Sequence, residues 1–411
     1  MLRQAIIMFQ DYLGFLGYKA QIHFELEGCF ETNSSKPLDL ISINETLKHL
    51  GIDGEIVNEY WHNQWEYVSL FNGQSPLDEA NNLHRAIKEL PEIFSQYGVS
   101  KTLIKPVVWS GDKGKLASGC NDIFSLDTRA VHIPNAVQLN VSVLNDKGKN
   151  IVPESGFGEY LQQCFLQTSK ACSLLYLPEE EAFERFKLTS YYGLADELCS
   201  PFDISGGHQG SIALYKKLGK HNQKMGEEPL LYDQFNNVLM TQDNWQKTAR
   251  VEHRLGASSE VYDPYVNILF SLANVVDAIE VYRQGHCRSA LLNDEDSSAL
   301  PLSLFNSDNN DLLTRNSENG SNQGNYNQGN YNEGNSNKNN SNQENSNQEN
   351  VSLGAIDLFA QSDWFSNSIN RVQQLVGNKS QFLSCPENIG TSIKQNILAK
   401  YQQKKIQLNS I

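Results

Sequence analysis

A chain of 411 residues is long enough for one large domain or two, and its formal net charge of −15 argues against a nucleic-acid partner, because phosphate contacts need a surplus of Lys and Arg. No apolar run of ~18 residues occurs, so no membrane span is expected. Seven scattered Cys with no C-x-x-C pair fit a reducing, cytoplasmic setting and no zinc site.

The opening residues place Ile6, Phe9, Leu13 and Leu16 at helical spacing, with Gly17 as a stop signal. This predicts an amphipathic N-terminal helix rather than a signal peptide. From Tyr18 to Glu27, Ala20, Ile22, Phe24 and Leu26 alternate with Gln21, His23, Glu25 and Glu27. The period of two predicts a strand with one apolar face and one face of two carboxylates and a His, which on its own reads as a solvated outer face. Residues 54–60 predict a second strand leading into Asn58–Leu70, where Glu59 and Glu66 flank Gln64. Two carboxylates held close repel each other and raise each other's pKa unless a cation neutralises them, and hard divalent cations favour such oxygen ligands.

Residues 78–97 carry Ala80, Leu83, Ile87, Leu90 and Phe94 on one helical face. Thr102–Val108 predicts a short strand, and the Gly- and Asp-rich stretch 109–130 a long surface loop. Val137, Leu139, Val141 and Val143 alternate with Gln138, Asn140 and Ser142, a strand that turns at Asn145-Asp146-Lys147-Gly148. Residues 157–187 predict two helices, 201–215 hold a Gly-Gly turn before Ser211–Tyr215, and 216–247 are polar with no pattern. Arg250–Leu255 predicts a strand with Arg250, Glu252 and Arg254 on one face. Asp263-Pro264 then supplies an N-cap and a first-turn proline for a helix reaching about Arg283. Lone histidines such as His23 and His253 read as ordinary surface or packing residues, and Trp61 and Trp65 as core.

Asn dominates residues 306–350, with five-residue near-repeats too short for a solenoid unit and too polar to bury a core; a disordered insertion is expected. Helical pattern returns from Leu353 to Val376, and a basic helix covers about 388–408. The expected organisation is a domain over 1–305, the insertion over 306–350, and helices over 351–411 that complete the domain.

Taken in order, these segments resemble the glutamine synthetase family across most of residues 1–285 and the C-terminal helices. Tyr18–Phe30 is similar to the family's first catalytic-domain strand with its Glu-x-Glu pair. Glu59, Gln64 and Glu66 resemble its E-x4-Q-x-E segment, and Thr102–Pro106 its T-F-M-P-K-P strand. Arg250–Arg254 is similar to its R-x-E-x-R strand, followed by Asp263-Pro264-Tyr265 where the family has N-P-Y. The resemblance implies an α+β fold, a curved, mostly antiparallel sheet backed by helices, with acidic side chains on the concave face. It also implies ATP-dependent condensation of glutamate with ammonia through a γ-glutamyl phosphate, assisted by two Mg or Mn ions. Carried over by position, one ion would sit on Glu27, Glu59 and Glu66. The other would sit on Glu25, Glu252 and Gln138, with Arg254 near the transferred phosphoryl group.

The chain departs from that pattern where chemistry is concentrated. Gln138 stands in place of a metal-binding His, and an amide oxygen holds a hard cation more weakly than imidazole holds Mn or Zn. Gly193, Gly210 and Tyr215 stand where the family has arginines, and Cys199 where it has the glutamate over the ammonium site. Each charge-assisted transition-state contact is typically worth ~2.7–4 kcal/mol, so these losses predict a degenerate homologue that keeps an acidic metal cage but no efficient ligase activity. Lys216, Lys217 and Arg185 are possible replacements that no spacing supports. By this resemblance the sequence would start at the catalytic domain's first helix, the family's β-grasp domain being lacking or supplied by a partner, and the family's ring-shaped homo-oligomer is then not expected. The alternatives are an active γ-glutamyl ligase with an altered small-molecule substrate, and an interaction protein acting through the Asn-rich tract.

Overall fold

The alternation in the first strand sets the layering of the whole molecule. In the computed structural model, which describes residues 1–32, 37–59, 61–70, 73–109, 132–154, 156–185, 212–216, 231–232, 238–240, 249–285, 300–305, 353–377 and 386–408, α1 (Leu2–Phe15) precedes β1 (Tyr18–Thr32). Ala20, Ile22, Phe24 and Leu26 of β1 are buried in the main core. Then follow α2 (Leu40–His49), β2 (Gly54–Asn58), β3 (Gln64–Ser69), α3 (Pro76–Gln96), β4 (Val99–Leu103), β5 (Val107–Trp109), β6 (His132–Pro134) and β7 (Ala136–Asn145). After these come α4 (Phe157–Ser169), α5 (Ser173–Tyr176), β8 (Ile212–Tyr215), β9 (Leu231–Tyr232), β10 (Val238–Met240), β11 (Arg250–Ala257) and α6 (Pro264–Arg283). The C-terminal helices are α7 (Ala355–Gln361), α8 (Trp364–Val376) and α9 (Ile389–Leu408).

Among the described residues the main sheet runs in the order β2-β3-β1-β7-β11-β8, every pair antiparallel, with β4 added beside the second half of β1. Helices α1, α3 and α6 pack on the apolar face of β1. The single strand expected over Thr102–Val108 is two strands, β4 and β5, in different sheets. Pro106 lies at the break; it has no N–H to give a ladder, and its carbonyl accepts instead from Asn135 N (2.8 Å). The unpatterned stretch 216–247 contains the short β9–β10 pair. The loop expected over 109–130 and the insertion expected over 306–350 lie, but for Trp109, outside the described residues.

Helix α6 starts where Asp263 and Pro264 put it. Asp263 Oδ1 accepts from Tyr265 N (3.1 Å) and Val266 N (3.3 Å), satisfying donors that the helix itself cannot. By length and composition α6 could cross a membrane, yet it is mostly buried inside the fold. Two of its buried polar side chains reach other elements: Asn267 Nδ2 donates to Leu175 O (2.9 Å), and Asn274 Oδ1 accepts from Thr168 Oγ1 (2.9 Å). The C-terminal helices dock on it through Asp277, which accepts from Trp364 Nε1 (2.8 Å) and is paired with Arg371 (2.5 Å). Residues 303–304 meet the start of α7 directly. Ala355 N donates to Ser303 O (3.0 Å), and Ile356 N to Leu304 O (3.2 Å).

Candidate active site on the polar face of the sheet

Strand register decides which side chains share a face. Across β1–β3 Glu27 is opposite Glu66; across β1–β7 Glu25 is opposite Gln138 and His23 opposite Asn140. Across β7–β11 Asn140 is opposite Glu252, and across β11–β8 Arg250 is opposite Tyr215. Directly opposed residues lie on the same side of a sheet, so these positions form one continuous polar face. Glu59 N donates to Gln64 O (3.3 Å), which carries the β2–β3 register one step further and puts Glu59 opposite Gln64.

The solvated-face reading of β1 does not hold. His23 is 2% exposed, Glu27 8%, Gln138 4%, Asn140 2% and Glu252 2%. Glu25, Glu59, Glu66 and Arg254 are half-buried. Buried carboxylates must be paired or hydrogen-bonded, and here the pairing comes from within the chain. Glu27 Oε2 accepts from Ala136 N (2.7 Å) and its Oε1 from Gln138 Nε2 (3.0 Å). Glu25 Oε1 accepts from Asn140 Nδ2 (2.9 Å), and Asn140 Oδ1 accepts in turn from Arg250 Nε. Glu252 takes two guanidinium groups, Arg250 Nη2 at 2.8 Å and Arg254 Nη1 at 3.0 Å. A linked series Glu25–Asn140–Arg250–Glu252–Arg254 therefore crosses three strands.

Burial alone would pull both guanidinium pKa values down, but Glu252 and its acidic neighbours outweigh it, and both values are raised. Arg250 also lies over the ring of Tyr215, 4.5 Å from its centroid. Burial, and next Glu252, push the Tyr215 hydroxyl up to about 12. The tyrosine standing where an arginine was expected thus holds an arginine from the neighbouring strand. Burial and Arg250 lower the His23 imidazole to about 4, so it is neutral. His253, lowered to about 3 mainly by burial, contacts the rings of Phe165, Tyr176 and Phe270, which makes it a packing rather than a surface residue. Trp65 is likewise core, its Nε1 donating to Cys29 O (3.1 Å).

One cation at this site carries no sequence signal. Arg185 donates to the carbonyls of Arg254 (3.1 Å), Leu255 (3.3 Å) and Gly256 (3.0 Å). Those carbonyls belong to the irregular stretch of β11, where register shifts between His253 and Gly256. Burial brings the Arg185 pKa down to about 10, opposed by the charge of Glu27 and reinforced by Arg254. These three partners are backbone oxygens, which every residue has, so no motif marks the contact. Lys216 is engaged elsewhere, with Glu159 (2.5 Å).

The expected metal sets, Glu27/Glu59/Glu66 and Glu25/Glu252/Gln138, thus share a face. Among the described residues no group of three or more His, Cys, Asp and Glu is placed to hold a metal ion. Gln138 turns its amide nitrogen to Glu27, which leaves its Oε1 buried without a hydrogen-bond partner. One such oxygen is not a ligand set for a hard cation, which takes about six. Gly193, Cys199 and Gly210 lie outside the described residues.

No family model matches the chain, and no curated protein matches it in sequence. Solved structures do match. A novel glutamine synthase homolog aligns with a TM-score of 0.52 at 12% identity, covering 97% of this chain and 74% of its own. GmaS without ligand aligns at 0.50 and 11% identity, and GmaS in complex with ADP at 0.51 and 12%, each covering 98% of this chain and 74% of its own. At such identities the likeness establishes the fold, an α+β arrangement of antiparallel sheet and backing helices shared with glutamine synthetase homologues.

Proposed function

Starting from a glutamine synthetase-like fold, we propose that this protein is a catalytically degenerate relative of the ATP-dependent carboxylate–amine ligases, acting in the cytoplasm by binding or regulation rather than ligation. One observation carries the reading: both arginines of the R-x-E-x-R strand are paired with Glu252, and the residue standing where a further arginine was expected, Tyr215, is buried beneath Arg250. Phosphoryl transfer needs cationic groups directed at the phosphates, and charge engaged by a buried carboxylate is not so directed. The replacements at Gly193, Gly210 and Tyr215 support the same conclusion. A nucleotide is the small-molecule ligand this reading assigns, on the precedent of the ADP complex of GmaS.

The test is formation of γ-glutamyl hydroxamate from glutamate, hydroxylamine and ATP with Mg or Mn. The expected result is no ATP-dependent product above background; sustained turnover would overturn the reading. The carboxylates Glu25, Glu27, Glu66 and Glu252, kept together on one face, favour a second reading, a ligase with a different carboxylate or amine. ATP hydrolysis stimulated by one member of a carboxylate panel would select it.

A further inference from the structure

We infer that this sheet carries its own counter-ions. Arg250 and Arg254, with Arg185 behind them, neutralise Glu252, Glu25 and Glu27 from within the chain, so the folded protein neither requires nor takes up Mg or Mn at these three carboxylates. The inference deepens the degenerate-ligase reading and rests on it only for the identity of the face.

The clamp on Glu252 follows from strand geometry. Residues two apart on a strand lie on one side, so Arg250 and Arg254 flank Glu252 from both directions along β11. Each carboxylate oxygen accepts one charge-assisted bond, at 2.8 and 3.0 Å, and Glu252 is 2% exposed. An ion entering here would displace both guanidinium groups and leave them inside the protein without their partner, which is strongly unfavourable. The next carboxylates are protected differently. Asn140 donates to Glu25 and accepts from Arg250, so its amide is oriented from both ends. Both oxygens of Glu27 face N–H donors from β7, the wrong polarity beside a cation. Arg185 adds a third positive charge, acting on Glu27, while fixing the carbonyls around Arg254.

The experiment is thermal unfolding of the full chain in EDTA and in millimolar MgCl2 or MnCl2. The wild-type Tm is expected to move by less than ~1 °C, since a ligand that does not bind the native state cannot stabilise it. Arg254→Met is expected to lower Tm in EDTA by ~3 °C or more. Millimolar Mn should restore at least half of that loss, because Glu252 then lacks one of its two cationic partners and an ion can take that place. A wild-type Tm raised ~3 °C or more by Mn, or a lowered variant Tm that Mn leaves unchanged, would overturn the inference. If Arg254→Met fails to fold, calorimetric titration of Mn into wild type and Glu252→Gln decides. No heat of binding is expected from either, and wild-type binding that Glu252→Gln abolishes defeats the proposal. A protein that binds Mn yet forms no hydroxamate would sink this inference and leave the degenerate reading intact; one inert to Mn yet active would do the reverse.

Discussion

Glu79 is a carboxylate on the apolar side of the sheet. It is 0% exposed, accepts from Phe24 N (3.2 Å) and Gln74 Nε2 (2.8 Å), and sits beside Ser69, whose Oγ also accepts from Phe24 N (3.0 Å). Burial pushes its pKa up to about 7, against the pull of those bonds, and Asp53 adds to the rise. A carboxyl group with a folded pKa above its unfolded value favours the native state most below the unfolded pKa. That contribution disappears as pH rises through about 7. Urea unfolding should therefore show stability falling by about 3 kcal/mol from this group between about pH 4.5 and about pH 8, and Glu79→Gln should flatten the slope. Across the sheet, Glu252→Ala should cost ~3–5 kcal/mol by stranding two guanidinium groups; a loss below ~1 kcal/mol in the same urea assay would refute the clamp. The strand positions of Glu25, Glu27, Gln138 and Glu252 were legible in the sequence because a period of two fixes a face. Their burial and mutual pairing were not, since alternation says nothing about what covers a face or how an amide turns. Glu79 gave no signal either, because an acidic residue in a helix's first turn is ordinary helix chemistry.

At the scale of elements, the irregular stretch of β11 aims Arg254. Gly256 lies so close to β7 that a β-carbon would meet Val137 O at 2.4 Å, and backbone cannot yield as a flexible side chain can. Gly256→Ala should destabilise by ~2 kcal/mol or more, read by urea unfolding, while an Ala at exposed, left-handed Gly51 acts only through local backbone strain. The helix starts at Ser75-Pro76 and Asp263-Pro264 show how local chemistry fixes an element boundary: both caps accept backbone N–H bonds as their residue types dictate. The break between β4 and β5 was harder to read, since an apolar run looks alike whether it serves one sheet or two.

The antiparallel sheet and its helical backing were readable through the family resemblance, which composition alone could not supply; the order of the strands was not. The joint between Ser303–Leu304 and Ala355–Ile356 had no sequence signature, because it is two backbone bonds between positions far apart in the chain. Its consequence concerns engineering. The fold itself ties together the two mouths of residues 306–353, so what is spliced between them need not span any gap. Exchange of 308–351 for a short Gly-Ser bridge should leave Tm within ~2 °C of the parent, and a compact foreign domain grafted there should fold without unseating its host. The entropy of closing such a loop grows only with the logarithm of its length, by ~0.6 kcal/mol for each doubling.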